Sequence, residues 1–172
     1  MTAATTTAPG TTTYQGEHVD IASEKPFDQV VVDLRAELGT APTDRLMDRL
    51  AASATWEEFA GECEGFAGRS NLIEVGFLDW GRVLTLGSTP MKAKLFVVGN
   101  PLTARKLLAA GGPEVGLQLP TKIFVYEDAD GVAHVSYDKF APIMAPYGLD
   151  DLDTVAGVID GVLEKLAGAA AG

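Results

Sequence analysis

The stretch from Phe96 to Tyr137 constrains this chain more than any other, because a strand, a capped helix and a hairpin follow one another in it almost without a gap. It opens as Phe96-Val97-Val98-Gly99-Asn100-Pro101-Leu102, an apolar run that ends in Asn-Pro. Asn100 can accept a hydrogen bond from a free helix N–H, and Pro101 suits the first helical position, where its missing N–H costs nothing. The helix predicted from Pro101 to about Ala110 stops at Gly111-Gly112-Pro113. Lys122–Glu127 and Val132–Tyr137 then read as strands joined by Asp128-Ala129-Asp130-Gly131, a turn rich in residues that tolerate positive φ.

The flanking sequence supplies the other layers. Residues 1–15 are a Thr/Ala-rich stretch with too little apolar surface to fold and are expected to be a disordered tail. Glu17–Ala22 reads as a short first strand, and Pro26 opens a helix whose apolar positions Phe27, Val30, Val31, Leu34 and Leu38 keep helical spacing up to Gly39. Residues 40–69 read as a helical insert: Leu46, Met47 and Leu50 mark one helix, and Thr55-Trp56-Glu57-Glu58 is a capping box for a second with the stripe Phe59, Cys63, Phe66. Leu72–Leu78 and Arg82–Leu86 read as strands around a turn at Asp79-Trp80-Gly81, followed by a third strand at Lys92–Val98. A last helix from about Asp151 to Ala167 places Leu152, Val155, Ile159, Val162, Leu163 and Leu166 on one side, leaving 169–172 as a flexible end. The order predicts one α+β domain over 16–168 with a mainly antiparallel sheet.

Composition narrows the functions. A formal net charge of −11 opposes nucleic acid, whose affinity rests on Lys and Arg neutralising phosphates, and opposes anionic membranes for the same reason. Lys92, Lys94, Arg105, Lys106 and Lys122 are too sparse to form a cationic stripe. Cys63 is the only cysteine, so no intramolecular disulfide or multi-cysteine zinc site can form. Met1–Thr13 has neither the basic start nor the apolar core of a signal peptide, and no apolar run is long enough to span a bilayer. The expectation is a soluble cytoplasmic protein with no nucleic-acid or membrane partner, no metal and no cofactor.

Few residues invite chemistry. The two histidines, His18 and His134, lie far apart with no metal-ligand spacing around either. His134 shares a strand side with Val132 and Ser136 and reads first as a hydrogen-bonded side chain. Cys63 lies within an apolar helical stripe and reads as a small buried hydrophobe rather than a nucleophile. Asp79 is a turn-former or a carboxylate base, and Asn100 a helix cap first and a ligand donor second. In Lys122–Glu127, Ile123 and Val125 point one way while Lys122, Phe124 and Tyr126 point the other. If Ala93, Leu95 and Val97 also face the helices, the opposite face carries Phe96, Phe124 and Tyr126 beside Lys94 and Lys122, an apolar surface rimmed by lysines that needs a cover.

The chain resembles domain-of-unknown-function family 302 (DUF302) over about Gly16–Ala167, outside the insert. The carriers are Gly99-Asn100-Pro101, Gly116-Leu117-Gln118-Leu119-Pro120, Ile123-Phe124-Val125-Tyr126-Glu127 and Tyr137-Asp138. The resemblance implies a TATA-binding-protein-like fold, a curved sheet packed by helices on one face, and often a homodimer; it implies no activity. Many relatives place Cys before Asn-Pro and after Leu-Pro, where this chain has Gly99 and Thr121, and others have His where it has Trp80. Three functions follow as expectations. The first is a small soluble bacterial protein binding a partly apolar organic anion on its sheet face through Lys94, Phe96, Asn100, Lys122, Phe124 and Tyr126. The second is a metal-independent proton-transfer enzyme (isomerase, cyclase or lyase), with Asp79 or His134 as base and Tyr126 or Tyr137 donating to an oxyanion. The third is a structural homodimer.

Overall fold

The elements run β1 (His18–Ser23), α1 (Phe27–Glu37), β2 (Gly39–Thr40), α2 (Thr43–Ala52), α3 (Trp56–Phe66), β3 (Ile73–Asp79), α4 (Trp80–Leu86), β4 (Ala93–Gly99) and α5 (Pro101–Gly111). A 3-10 segment (Pro113–Gln118), β5 (Thr121–Glu127), β6 (Ala133–Asp138), α6 (Phe140–Met144), a 3-10 turn (Ala145–Tyr147) and α7 (Asp150–Ala171) complete the chain. The computed structural model describes residues 12–148 and 150–172, with the backbone alone at 150–152. Most of the expected N-terminal tail and the Leu152 side chain lie outside the described residues.

The strands form one six-stranded sheet in the order β1-β6-β5-β4-β3-β2, antiparallel throughout except where β2 joins β3 in parallel. This is the expected α+β architecture. The main core lies between one sheet face and the helices α1 and α7: Phe96, Val98, Ile123, Val125, Val135 and Tyr137 are buried against Val30, Leu34, Leu163 and Leu166. The insert closes one end of the sheet, where Leu46 of α2 and Phe59 and Cys63 of α3 bury Ile73. Its docking depends on contact between two glycine backbones. A Cβ on Gly39 would stand 1.7 Å from the Phe66 carbonyl oxygen, and one on Gly68 2.2 Å from the Gly39 nitrogen. Gly39 therefore serves close approach in a strand, and α1 ends instead at Glu37, before the extended Leu38.

The predicted strand Arg82–Leu86 is a helix. The Asp79 carboxylate accepts from the Arg82 N–H at 2.8 Å and caps α4, and the Thr85 hydroxyl donates back to the Gly81 carbonyl at 2.8 Å. A side chain at Gly81 would meet the Met91 carbonyl oxygen at 2.5 Å, so the glycine lets the first turn of α4 sit against the chain entering β4. The second correction concerns the C-terminus. Helix α7 runs on to Ala171, with Ala170 and Ala171 buried and the Ser23 hydroxyl donating to the Ala171 carbonyl at 2.6 Å.

Candidate functional site

Two features of the fold could serve chemistry: the sheet face turned away from α1 and α7, and a cavity where β4 hands over to α5. Register defines the face. Asp20, Ser136, Phe124, Leu95 and Leu78 form one cross-strand row, and Ala22, His134, Tyr126 and Ala93 form the next. Lys122, Phe124 and Tyr126 point to this face as the alternation requires.

The structure corrects the predicted phase of β4. Phe96 pairs with Ile123 and Lys94 with Val125, so both lie on the helix side, and Phe96 is 0% exposed. The phase was ambiguous in the sequence because Ala93, Leu95 and Val97 are as apolar as Phe96 and Val98. The lysine at 94 adds no polar signal for the open side: its ammonium lies 5.6 Å from the Phe27 ring centroid, carried outward along the edge of the core on its own stem. Of the proposed face, Lys122, Phe124 and Tyr126 remain together; Lys94 and Phe96 do not join them.

The proton-transfer set is likewise divided. Tyr137 is buried on the helix side, where desolvation raises its pKa. Asp79 is occupied as the cap of α4. Tyr126 and His134 do meet, their rings stacked at 4.8 Å and 13° with Phe124 against the far side of Tyr126 at 5.6 Å. Asp20, which the sequence reading missed, joins them: its Oδ2 accepts from the Tyr126 hydroxyl at 2.9 Å and faces His134 Nδ1 at 3.1 Å. The other ring nitrogen, Nε2, faces Asp128 Oδ2 at 3.2 Å. Both ring nitrogens of His134 thus face carboxylate oxygens, one on β1 and one in the β5–β6 turn. Desolvation and the bond to Asp20 raise the pKa of Tyr126, which keeps its hydroxyl a donor. The cluster is built to tie β1, β5, β6 and the β5–β6 turn together. Cys63 is buried, and desolvation raises its thiol pKa, in keeping with a packing role. Among the described residues no group of three or more His, Cys, Asp or Glu side chains could hold a metal ion.

The cavity is a concave feature on the helix side of the sheet. It holds about 260 Å³ and is apolar almost throughout. Val98, Gly99 and Asn100 at the end of β4, Ala104 and Leu107 of α5, and Leu119, Pro120 and Thr121 at the entry to β5 form most of its wall. Leu46 of α2, Val75 of β3, Phe140 of α6 and Ile159 of α7 are among the residues that close the remainder. Asn100 is fully engaged within that wall, its Oδ1 accepting from the Leu102 N–H at 2.9 Å and its Nδ2 donating to the Asn71 carbonyl at 2.8 Å. It caps α5 as the Asn-Pro pair predicts. Gly99 brings the strand end against Pro120, whose Cβ would lie 3.0 Å from a side chain at 99. The sequence signal for this site was the pair of segments Gly99-Asn100-Pro101 and Leu119-Pro120, which the fold brings together as facing walls.

The family model described as "Domain of unknown function DUF302" matches residues 83–171, from α4 to the end of α7. A solved structure similar to this chain is that of an uncharacterized conserved DUF302 protein from Bacillus stearothermophilus, at TM-score 0.63 and 15% identity, covering 89% of this chain and 97% of that one. At that identity the likeness concerns the fold alone. No curated protein matches the sequence.

Proposed function

This chain belongs to the DUF302 family, and from that premise we propose that it is a small-molecule-binding protein whose ligand lodges its apolar part in the cavity between β4, α5 and the start of β5. One observation carries the reading: the segments that bear the family resemblance, Gly99-Asn100-Pro101 and Leu119-Pro120, line the same apolar cavity. A dry cavity of roughly 150 Å³ accommodates benzene, so about 260 Å³ leaves room for a bicyclic ring or a short branched hydrocarbon. No helix among the described residues is long and apolar enough to cross a membrane, and the reading places the protein in the cytoplasm, which fractionation of the producing cells tests.

Thermal-shift measurement with indole as the probe tests the site. Indole raises the melting temperature of the wild-type chain, and Ala104→Phe, which fills the cavity from its half-buried lining, abolishes the response. An equal response in both chains would place indole elsewhere and overturn the reading. A second reading, association of two copies through the open sheet face, is favoured by Leu78, which is 46% exposed, beside half-buried Leu95, Val97 and Phe124. Light scattering that returns a dimer mass, reduced to the monomer by Phe124→Glu, would support it; a wild-type monomer mass would end it.

A further inference from the structure

The polarity of the ligand's other end follows from what lies beside the cavity, and this inference rests on the binding site proposed above. Against the apolar cavity sits a smaller, polar hollow of about 120 Å³. Pro120, Thr121 and Phe140 contribute to both, so the two abut at the entry to β5. The smaller hollow is lined by Gln118, Lys122 and Asp138 among its polar groups. Their charges are not equally free. Asp138 is already engaged by His18, whose Nδ1 stands 2.7 Å from its Oδ1. The Lys122 ammonium and the Gln118 side-chain amide have no hydrogen-bond or ion-pair partner among the described residues. Beside the acceptor oxygens left on the amide and at Asp138 Oδ2, the unused donor capacity is three hydrogens on the ammonium and two on the amide. A carboxylate matches it through a charge-assisted hydrogen bond. A single ammonium with Asp138 nearby favours a monoanion over a more highly charged group such as a phosphate dianion.

We propose that one ligand occupies both hollows: an organic monocarboxylic acid whose ring or short hydrocarbon body fills the apolar cavity and whose carboxylate meets Lys122 and Gln118. Titration calorimetry of the full chain with indole-3-acetate, indole and acetate tests this. Indole-3-acetate binds at least about tenfold more tightly than indole, the increment of one charge-assisted hydrogen bond, and acetate alone gives no heat. Lys122→Gln, a substitution at an exposed position, reduces indole-3-acetate to the affinity of indole and leaves indole unchanged. Equal binding of indole and indole-3-acetate by the wild-type chain overturns the acid assignment while the cavity stands. So does an acid advantage that survives Lys122→Gln. Absence of binding by both ring compounds overturns the cavity reading along with it.

Discussion

The Asn100 side chain is 5% exposed and satisfies two neighbours at once, accepting from the Leu102 N–H and donating to the carbonyl of Asn71. Asn71 itself is held at φ 62, so one amide joins the cap of α5 to a left-handed residue ahead of β3. Asn100→Ala removes the cap and leaves a carbonyl short of its partner. The expected loss is about 2–4 kcal/mol in urea denaturation, from a cap worth roughly 1 and an unpaired acceptor worth roughly 1–3. Asn71→Gly keeps the backbone acceptor and accepts positive φ, and should cost under about 1 kcal/mol. Asp128 gives a pH-dependent counterpart. The Val132 N–H, above all, holds its carboxyl below the ordinary 3.8, aided by His134 and the Asp130 N–H against the opposing effect of desolvation. Because the folded pKa is lowered, the contribution is present above the unfolded value and is lost as the pH falls through the folded one. Urea midpoints of the wild type and Asp128→Asn should therefore differ at neutral pH and draw together as the pH falls below the ordinary carboxylate range.

At the scale of elements, α7 shows how a segment with weak sequence signals becomes fixed by packing. Gly168-Ala169-Ala170-Ala171-Gly172 has no bulky residue to mark a buried stripe, yet Ala170 and Ala171 lie in the core. The Ala171 and Ala170 carbonyls accept from Ser23 and Lys25 at 2.6 and 3.3 Å. A chain ending at Gly168 should lose about 2 kcal/mol, from buried methyl groups and a Ser23 hydroxyl left without its acceptor, and melt roughly 5 °C lower. Where local chemistry was unambiguous, the elements could be read: Asn100-Pro101 as a helix start, the Thr55 capping box, and the Asp128–Gly131 turn with Gly131 at φ 82. Arg82–Leu86 was misread because its β-branched and apolar residues suit a strand, while the decisive facts are the Asp79 cap and the space that Gly81 leaves for Met91. The phase of β4 was hidden because both sides of the strand are apolar, and periodicity then carries no direction. The candidate cavity was legible only as motif segments, since nothing in the sequence states that residues 98–104 and 119–121 face one another.

Across the whole molecule the charge distribution bears on what the open sheet face can meet. The net charge is −11, and the face adds to that bias. Of the strand residues turned to it, Lys122 is the one lysine or arginine, whereas Asp20 and Asp138 lie on it and Asp128 stands at its turn. Lys92 is paired with Glu127 at 2.8 Å, and Lys94 belongs to the helix side. A minor-groove saddle needs cations along its contact face to replace released counterions and free apolar wedges to open base steps. Phe96, which the sequence alternation assigns to this face, is wholly buried on the other. Phe124 stacks on Tyr126, whose hydroxyl is tied to Asp20. Duplex DNA should therefore bind more weakly than about 10⁻⁴ M at physiological salt, beyond the weak end of ordinary non-specific affinity. A mobility-shift titration with a generic duplex at micromolar protein should show no retarded band. A band that weakens as salt rises would mean that the acidic face is not the surface DNA meets.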